Sequence, residues 1–363
     1  MKHPRRLRAP TKAAVAITLL LAFGPSSWQQ SGAADAADEP GDAGEAAEEN
    51  ATQPADCLDV TPHEVKFVTV GPGVQLEVLD FGGSGEAMVL LTGLGDNAHV
   101  WDGFAYQFAD YFRVIGITRR GYGRSDQPDD GYDVRTRARD DIKVLDHFGI
   151  DKAVFVGHSL AGSELSELGL AYPDRVDKLV FLDAADLAER FVFPEEPAGP
   201  PYTDEDGRSL PIYQAALARL EGFRRPNAAA CNSFLFSPSG TIGDSVTPQD
   251  ISDKLLADVK KQRPVDWDNI KAPRLAIFAT FSRDLRLPWY WYLSADQQVA
   301  FDRVWGPIVE WHEDTIRRFG EHQPGNPEPI VRELPGAPHY IYISNEAFVV
   351  REMRAFLLGD VRD

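Results

Sequence analysis

Gly157-His158-Ser159-Leu160-Ala161-Gly162 sets a serine between an apolar, β-rich run and a stretch of helical patterning. A serine hydroxyl is a weak nucleophile, so attack on an acyl carbon needs a base beside it and a third group to orient that base. It also needs the Oγ raised on a tight strand-to-helix turn, which small neighbours permit. Gly157, Ala161 and Gly162 are such neighbours. Leu160 opens the helix, so its backbone N–H has no intrahelical acceptor and can face a developing oxyanion. The plainer reading is a Gly-Ser turn that only starts a helix, and the strand before and helix after argue against it.

The elements that would hold this serine alternate along the chain. Residues 63–70 and 74–81 read as a hairpin about the turn Gly71-Pro72-Gly73. Residues 87–92 are a short continuous apolar run, as in a strand buried on both faces. A helix is expected over 99–112, a strand over 113–118 and a helix over 135–148. Strand 153–156, helix 160–171 and strand 178–182 follow. The alternation then stops for about residues 187–271, a Pro-rich stretch with helical patterning at 212–223 and 248–261. It resumes with strands at 274–279 and 330–334 and a helix at 346–358. Strand–helix alternation with buried strands predicts an α/β fold, a mostly parallel central sheet flanked by helices. The interruption is too long for a loop and predicts a mainly helical lid insertion.

These motifs, in this order, resemble the α/β-hydrolase superfamily over about residues 63–360. The family pattern at the nucleophile is G-x-S-x-G, and this chain has Ala161 in the fifth place with Gly162 next. The loop Arg120-Gly121-Tyr122-Gly123-Arg124-Ser125 also matches a common family loop. The resemblance implies the order nucleophile, acid, histidine. Ser159 is then the nucleophile and His339, in Pro335-Gly336-Ala337-Pro338-His339 before the last helix, the base. Asp284, after the strand at 274–279, is the favoured acid; Asp183, at the end of the preceding strand, is the alternative. The first oxyanion donor comes from Thr92-Gly93-Leu94-Gly95-Asp96, by position the N–H of Leu94, joined by that of Leu160. A serine at 159 disfavours dehalogenase and epoxide-hydrolase chemistry, which in related proteins uses aspartate there. The expected reaction is cleavage of an ester-type acyl bond in a small-molecule substrate through an acyl-enzyme, with no cofactor. Thioesterase, lipase, C–C hydrolase and proline-type aminopeptidase activities stay open.

Other readings compete. Gly93-Leu94-Gly95-Asp96-Asn97-Ala98 follows a strand and matches a dinucleotide fingerprint, with Thr118-Arg119-Arg120 placed to suit a 2′-phosphate. That reading leaves Ser159 and His339 without a role. A non-catalytic relative that binds a ligand is a further alternative, since fold does not fix function. Glu195 and Glu196 in the insertion suit a substrate amine, or are solvated charges. Trp289-Tyr290-Trp291-Tyr292 lines a pocket or packs a helix core. His158 is expected to pack behind the nucleophile. His312-Glu313 lacks the second histidine of H-E-x-x-H, and no metal is expected.

Composition narrows the setting. The formal charge of the 363-residue chain is −19, which disfavours nucleic acid and anionic lipid surfaces as partners. Lys2, Arg5, Arg6, Arg8 and Lys12 precede an apolar run at 13–23, so residues 1–33 read as a secretory signal peptide. Residues 34–56 hold eight acidic and no basic residues amid Ala, Gly and Pro, the composition of a disordered linker. The remaining 57–363 are the hydrolase-like domain, exported to the periplasm or medium and without a later membrane-spanning segment. Export would allow Cys57 and Cys231 to form a disulfide, or to remain two thiols.

Overall fold

The computed structural model describes residues 61–184, 234–236, 242–280, 291 and 294–359. Strands β1 (Glu64–Gly71) and β2 (Val74–Gly82) form the expected antiparallel hairpin, with Gly71 opposite Val74. Gly73 turns it at φ 66°, a left-handed backbone that glycine adopts without steric cost. Next come β3 (Glu86–Leu91), β4 (Phe112–Ile117), β5 (Ala153–His158) and β6 (Val176–Leu182). A two-stranded antiparallel ribbon, β7 (Phe234–Phe236) and β8 (Ile242–Ser245), precedes β9 (Arg274–Thr280) and β10 (Ile330–Pro335).

All but the ribbon build one eight-stranded sheet in the order β1-β2-β4-β3-β5-β6-β9-β10. From β4 to β10 every neighbouring pair is parallel; β1 and β2 are the antiparallel edge. The strands alternate between two apolar layers. Met88, Leu90, Val154 and Val156 face one side, and Val89, Leu91, Ala153 and Phe155 the other. Each such buried Val or Leu contributes about 1.5–3 kcal/mol relative to exposure, which is why the runs are apolar throughout.

Helices α1 (Val134–His147) and α2 (Ala161–Ala171) cover one layer through Ile142, Leu145, Leu165 and Leu168. Asp133 caps α1, its Oδ1 accepting the Thr136 N–H at 3.0 Å. Helix α3 (Gln249–Val259) follows the ribbon, and the long α4 (Ala295–Phe319) sends Phe319 into the same layer. Helix α5 (Glu346–Leu358) covers the other layer with Val349, Met353 and Leu357, beside Trp101, Phe104 and Phe108. No helix among the described residues is long and apolar enough to cross a membrane.

The helix expected over 99–112 is instead two short 3-10 turns, Ala98–Trp101 and Ala105–Gln107. Asp102 and Gly103 part them: the Asp102 carboxylate reaches back to His99, and glycine is a poor helix former. Within the expected insertion the described part is the ribbon and α3, so strand as well as helix occurs there. The segments 1–33 and 34–56, Cys57, Cys231, the helical patterning at 212–223, Glu195, Glu196 and Asp284 lie outside the described residues.

Candidate active site

Ser159 follows directly on β5, and α2 begins two residues later. Its backbone is left-handed at φ 54°, and its N–H still bonds Leu182 O at 3.3 Å. The turn is tight enough that a Cβ on Gly157 would lie 2.8 Å from Ala161 Cβ and 2.9 Å from Leu165 Cδ1. Glycine at 157 therefore leaves room for the methyl of Ala161, the residue in the fifth position.

Asp183 follows directly on the adjacent parallel strand β6 and is also left-handed, at φ 45°. Its Oδ2 lies 2.6 Å from His339 Nδ1, and its Oδ1 accepts the Ala279 N–H at 2.8 Å. An ionised carboxylate only accepts, so Nδ1 carries the hydrogen. His339 Nε2 is buried and has no hydrogen-bond partner among the described residues. Burial alone would raise the Asp183 carboxyl, but His312 and His339 outweigh it and hold it well below the usual carboxylate range. His312, on α4, stands off at 3.8 Å from Oδ1, so the short contact to His339 is the hydrogen bond. The carboxylate placed on His339 is thus Asp183, the alternative in the sequence reading, while the favoured Asp284 lies outside the described residues.

His158 does pack behind the serine. Its ring lies 4.4 Å from that of His339, and its Nε2 donates to His339 O at 3.1 Å. Burial, with His339 beside it, lowers His158 well below its ordinary value and keeps it neutral. The loop after β3 closes on the same place. A Cβ on Gly93 would lie 2.8 Å from Asp96 Oδ2, 3.0 Å from His158 Nδ1 and 3.4 Å from Ser159 Cβ, so any side chain here would push Asp96 aside and crowd His158. Tyr340 Oη donates to both Asp96 oxygens at 3.2 Å. Leu94 packs against the cluster of Leu160, Tyr122, Ile251 and Leu255, which brings α3 over the turn. Neither the Leu94 nor the Leu160 N–H bonds an acceptor among the described residues.

The family model described as the alpha/beta hydrolase fold matches residues 86–317. The chain belongs to the alpha/beta hydrolase fold family. An uncharacterized protein of Mycobacterium tuberculosis is 35% identical over 134 residues, 36% of this chain and 38% of that protein. Bifunctional epoxide hydrolase 2 of Mus musculus is 31% identical over 176 residues, 46% of this chain and 29% of its own length. The chain thus spans well under half the length of these curated relatives. The crystal structure of E-2-(acetamidomethylene)succinate hydrolase superposes with a TM-score of 0.53 at 20% identity, covering 82% of this chain and 99% of that one.

Set within the alpha/beta hydrolase fold, the dinucleotide fingerprint loses its context. Asn97 leads into a 3-10 turn and not a helix, and Arg119 is buried against Glu164. Among the described residues, His63, His99 and Asp102 form a group that could hold a metal, with one ligand atom from each within 4.8 Å of the others. Burial opposes a charge on His99, yet its hydrogen bond to Asp102 at 3.3 Å and the Glu77 carboxylate 3.8 Å away raise it to about 9, so a metal would have to displace its proton. Sequence reasoning weighed His312 only as a metal ligand and passed over its approach to Asp183, the Tyr340–Asp96 bond and the Arg119–Glu164 pair. Each joins residues far apart in the chain, and no local pattern marks them.

Proposed function

We propose that this alpha/beta hydrolase cleaves an ester-type acyl bond by nucleophilic catalysis from Ser159, with His339 as base and Asp183 as its orienting acid. The observation that carries the reading is the 2.6 Å contact of Asp183 Oδ2 with His339 Nδ1, beside a serine on a strained turn. Asp183 keeps the hydrogen on Nδ1, so Nε2 is the atom that takes the Ser159 proton. Oγ then bonds the acyl carbon, and the carbonyl π pair moves onto oxygen. The N–H groups of Leu94 and Leu160 receive that oxyanion, each worth about 3 kcal/mol in comparable sites. The tetrahedral intermediate collapses, the alkoxide leaves with the proton from Nε2, and water activated by the same nitrogen frees the acid.

The epoxide hydrolase relative raises a rival reaction, which serine chemistry disfavours. An alkoxide that opened an epoxide would leave an ether on Ser159, with no carbonyl for water to attack, and turnover would stop. The reading includes export. The basic start and apolar run of residues 1–33 support a signal peptide, and the acidic residues 34–56 support a solvated linker. The insertion is proposed as a lid, supported by the packing of Ile251 and Leu255 from α3 over Leu94 and Leu160.

The test is hydrolysis of p-nitrophenyl esters of graded chain length, beside a prolyl arylamide, by the wild type and by Ser159→Ala. Ester turnover lost in the variant is the expected result. Preference for the arylamide would move the assignment to a peptidase, and turnover that survives Ser159→Ala would overturn the nucleophile.

A further inference from the structure

Arg119 follows β4 by two residues and is buried, with its side chain 6% exposed. Nothing in the chemistry above uses it. Its guanidinium makes four hydrogen bonds to two parts of the chain. Nη1 donates to Gly93 O at 2.6 Å and Nη2 to Thr92 O at 2.5 Å. Nε and Nη2 donate to Glu164 Oε1 and Oε2 at 3.2 and 2.8 Å. Glu164 lies on α2, five residues beyond Ser159.

We infer that Arg119 is a positioning residue for the oxyanion hole, fixing both of its backbone donors through one planar fork. The inference rests on the serine-hydrolase reading. In a trans peptide the C=O of Gly93 and the N–H of Leu94 point in opposite directions. Holding Gly93 O on Arg119 therefore aims the Leu94 N–H away from the guanidinium, on a loop whose Gly93 lies against Ser159. The other two bonds tie the same group to the helix that begins after Leu160, whose N–H is the second donor. Loop and helix are thus locked at a fixed separation by a rigid element, in addition to the apolar packing of Leu94 on the Leu160 cluster.

The chemistry of the residue fits that task. A guanidinium is planar, permanently charged and able to engage a carboxylate and two carbonyls at once; an ammonium has no such fork. Glu164 is itself fully enclosed, and Arg119 followed by Arg137 outweighs its burial and keeps it ionised. A buried charge pair of this kind costs desolvation and is a poor source of net stability, so a geometric role is the better account of it. Donors must sit within a few tenths of an ångström of the oxyanion, and a 1 Å error costs about 100-fold in rate.

The test compares Arg119→Lys and Glu164→Gln with the wild type on the ester the wild type hydrolyses best. It adds the inhibition constant of a trifluoromethyl ketone, which forms a tetrahedral adduct on an active serine. The expected result is a kcat lower by roughly 10- to 100-fold with KM changed by less than about 3-fold, as for an interaction made in the transition state. Ketone affinity should fall in parallel with kcat. A merely structural residue would lower Tm and the fraction of active sites without separating ketone from substrate affinity. If Arg119→Lys does not fold, Glu164→Gln decides, since it keeps the shape of the partner and removes its charge. A kcat within about 3-fold of wild type in the folded variant, or a loss confined to KM, overturns the inference. A wild type that hydrolyses no ester and binds no ketone would instead refute the serine-hydrolase reading on which it stands.

Discussion

Ser159 and Asp183 stand side by side at the ends of neighbouring parallel strands, each with a left-handed backbone, φ 54° and 45°. Among the described residues they are the only non-glycines in that conformation. Each such residue costs on the order of 1–3 kcal/mol and persists only where its surroundings enforce it. Here the sheet does so: Ser159 N–H bonds Leu182 O, and Asp183 N–H bonds Ile277 O at 2.8 Å. Both residues thus sit at the carboxyl ends of interior strands, where His339 meets the Asp183 carboxylate.

Asp183→Asn should leave the protein folded and lower kcat by about 10⁴-fold, because an amide can donate to Nδ1 and so favours the wrong tautomer of His339. KM should hardly move. Asp284→Asn, the substitution at the acid first favoured, should keep kcat within about 3-fold of wild type. Steady-state kinetics on one p-nitrophenyl ester separates the two, and the reverse ranking would return the role to Asp284.

Gly157→Ala should destabilise the fold by about 1–3 kcal/mol, since its new methyl must displace Ala161 or Leu165 at contacts of 2.8 and 2.9 Å. Activity should fall with it, because Ala161 belongs to the turn that aims Ser159. The paired change Gly157→Ala with Ala161→Gly should recover part of both losses. Urea denaturation and ester kinetics on the three proteins test this.

His99 makes a pH prediction with a definite sign. Its folded value is raised to about 9 from 6.5. The folded state thus binds the proton more tightly than the unfolded state. Its contribution, on the order of 3 kcal/mol, is complete below pH 6.5 and is lost as pH rises through about 9. Denaturation midpoints should therefore fall from pH 6.5 to 9.5 in the wild type and change less in His99→Gln. Equal slopes in the two proteins would show that His99 is not protonated in the fold.

Much of this site can be read before any fold is known, and the part that cannot has a common cause. The turn at Ser159 announces itself locally, since small residues stand between a buried run and a helical pattern. His339 is placed by the last strand and the last helix, and α5 has the span expected of it. The proposed acid is different. Asp183 and Asp284 both follow a strand, and only the spatial order β5-β6-β9 puts the end of β6 beside the serine. Arg119 and Glu164 are 45 residues apart, so nothing local distinguishes their pairing from two surface charges. The helix expected over 99–112 is the exception, since its break is local: Asp102 turns to His99 three residues back, and Gly103 follows.

The most direct measurement is covalent. The purified protein would be treated with a fluorophosphonate, its intact mass recorded and the adduct mapped by peptide sequencing, beside Ser159→Ala and Asp183→Asn. The account predicts one adduct per wild-type chain, located on Ser159, none in Ser159→Ala, and slow labelling in Asp183→Asn. A wild type that stays unmodified, or an adduct on any other residue, would contradict it.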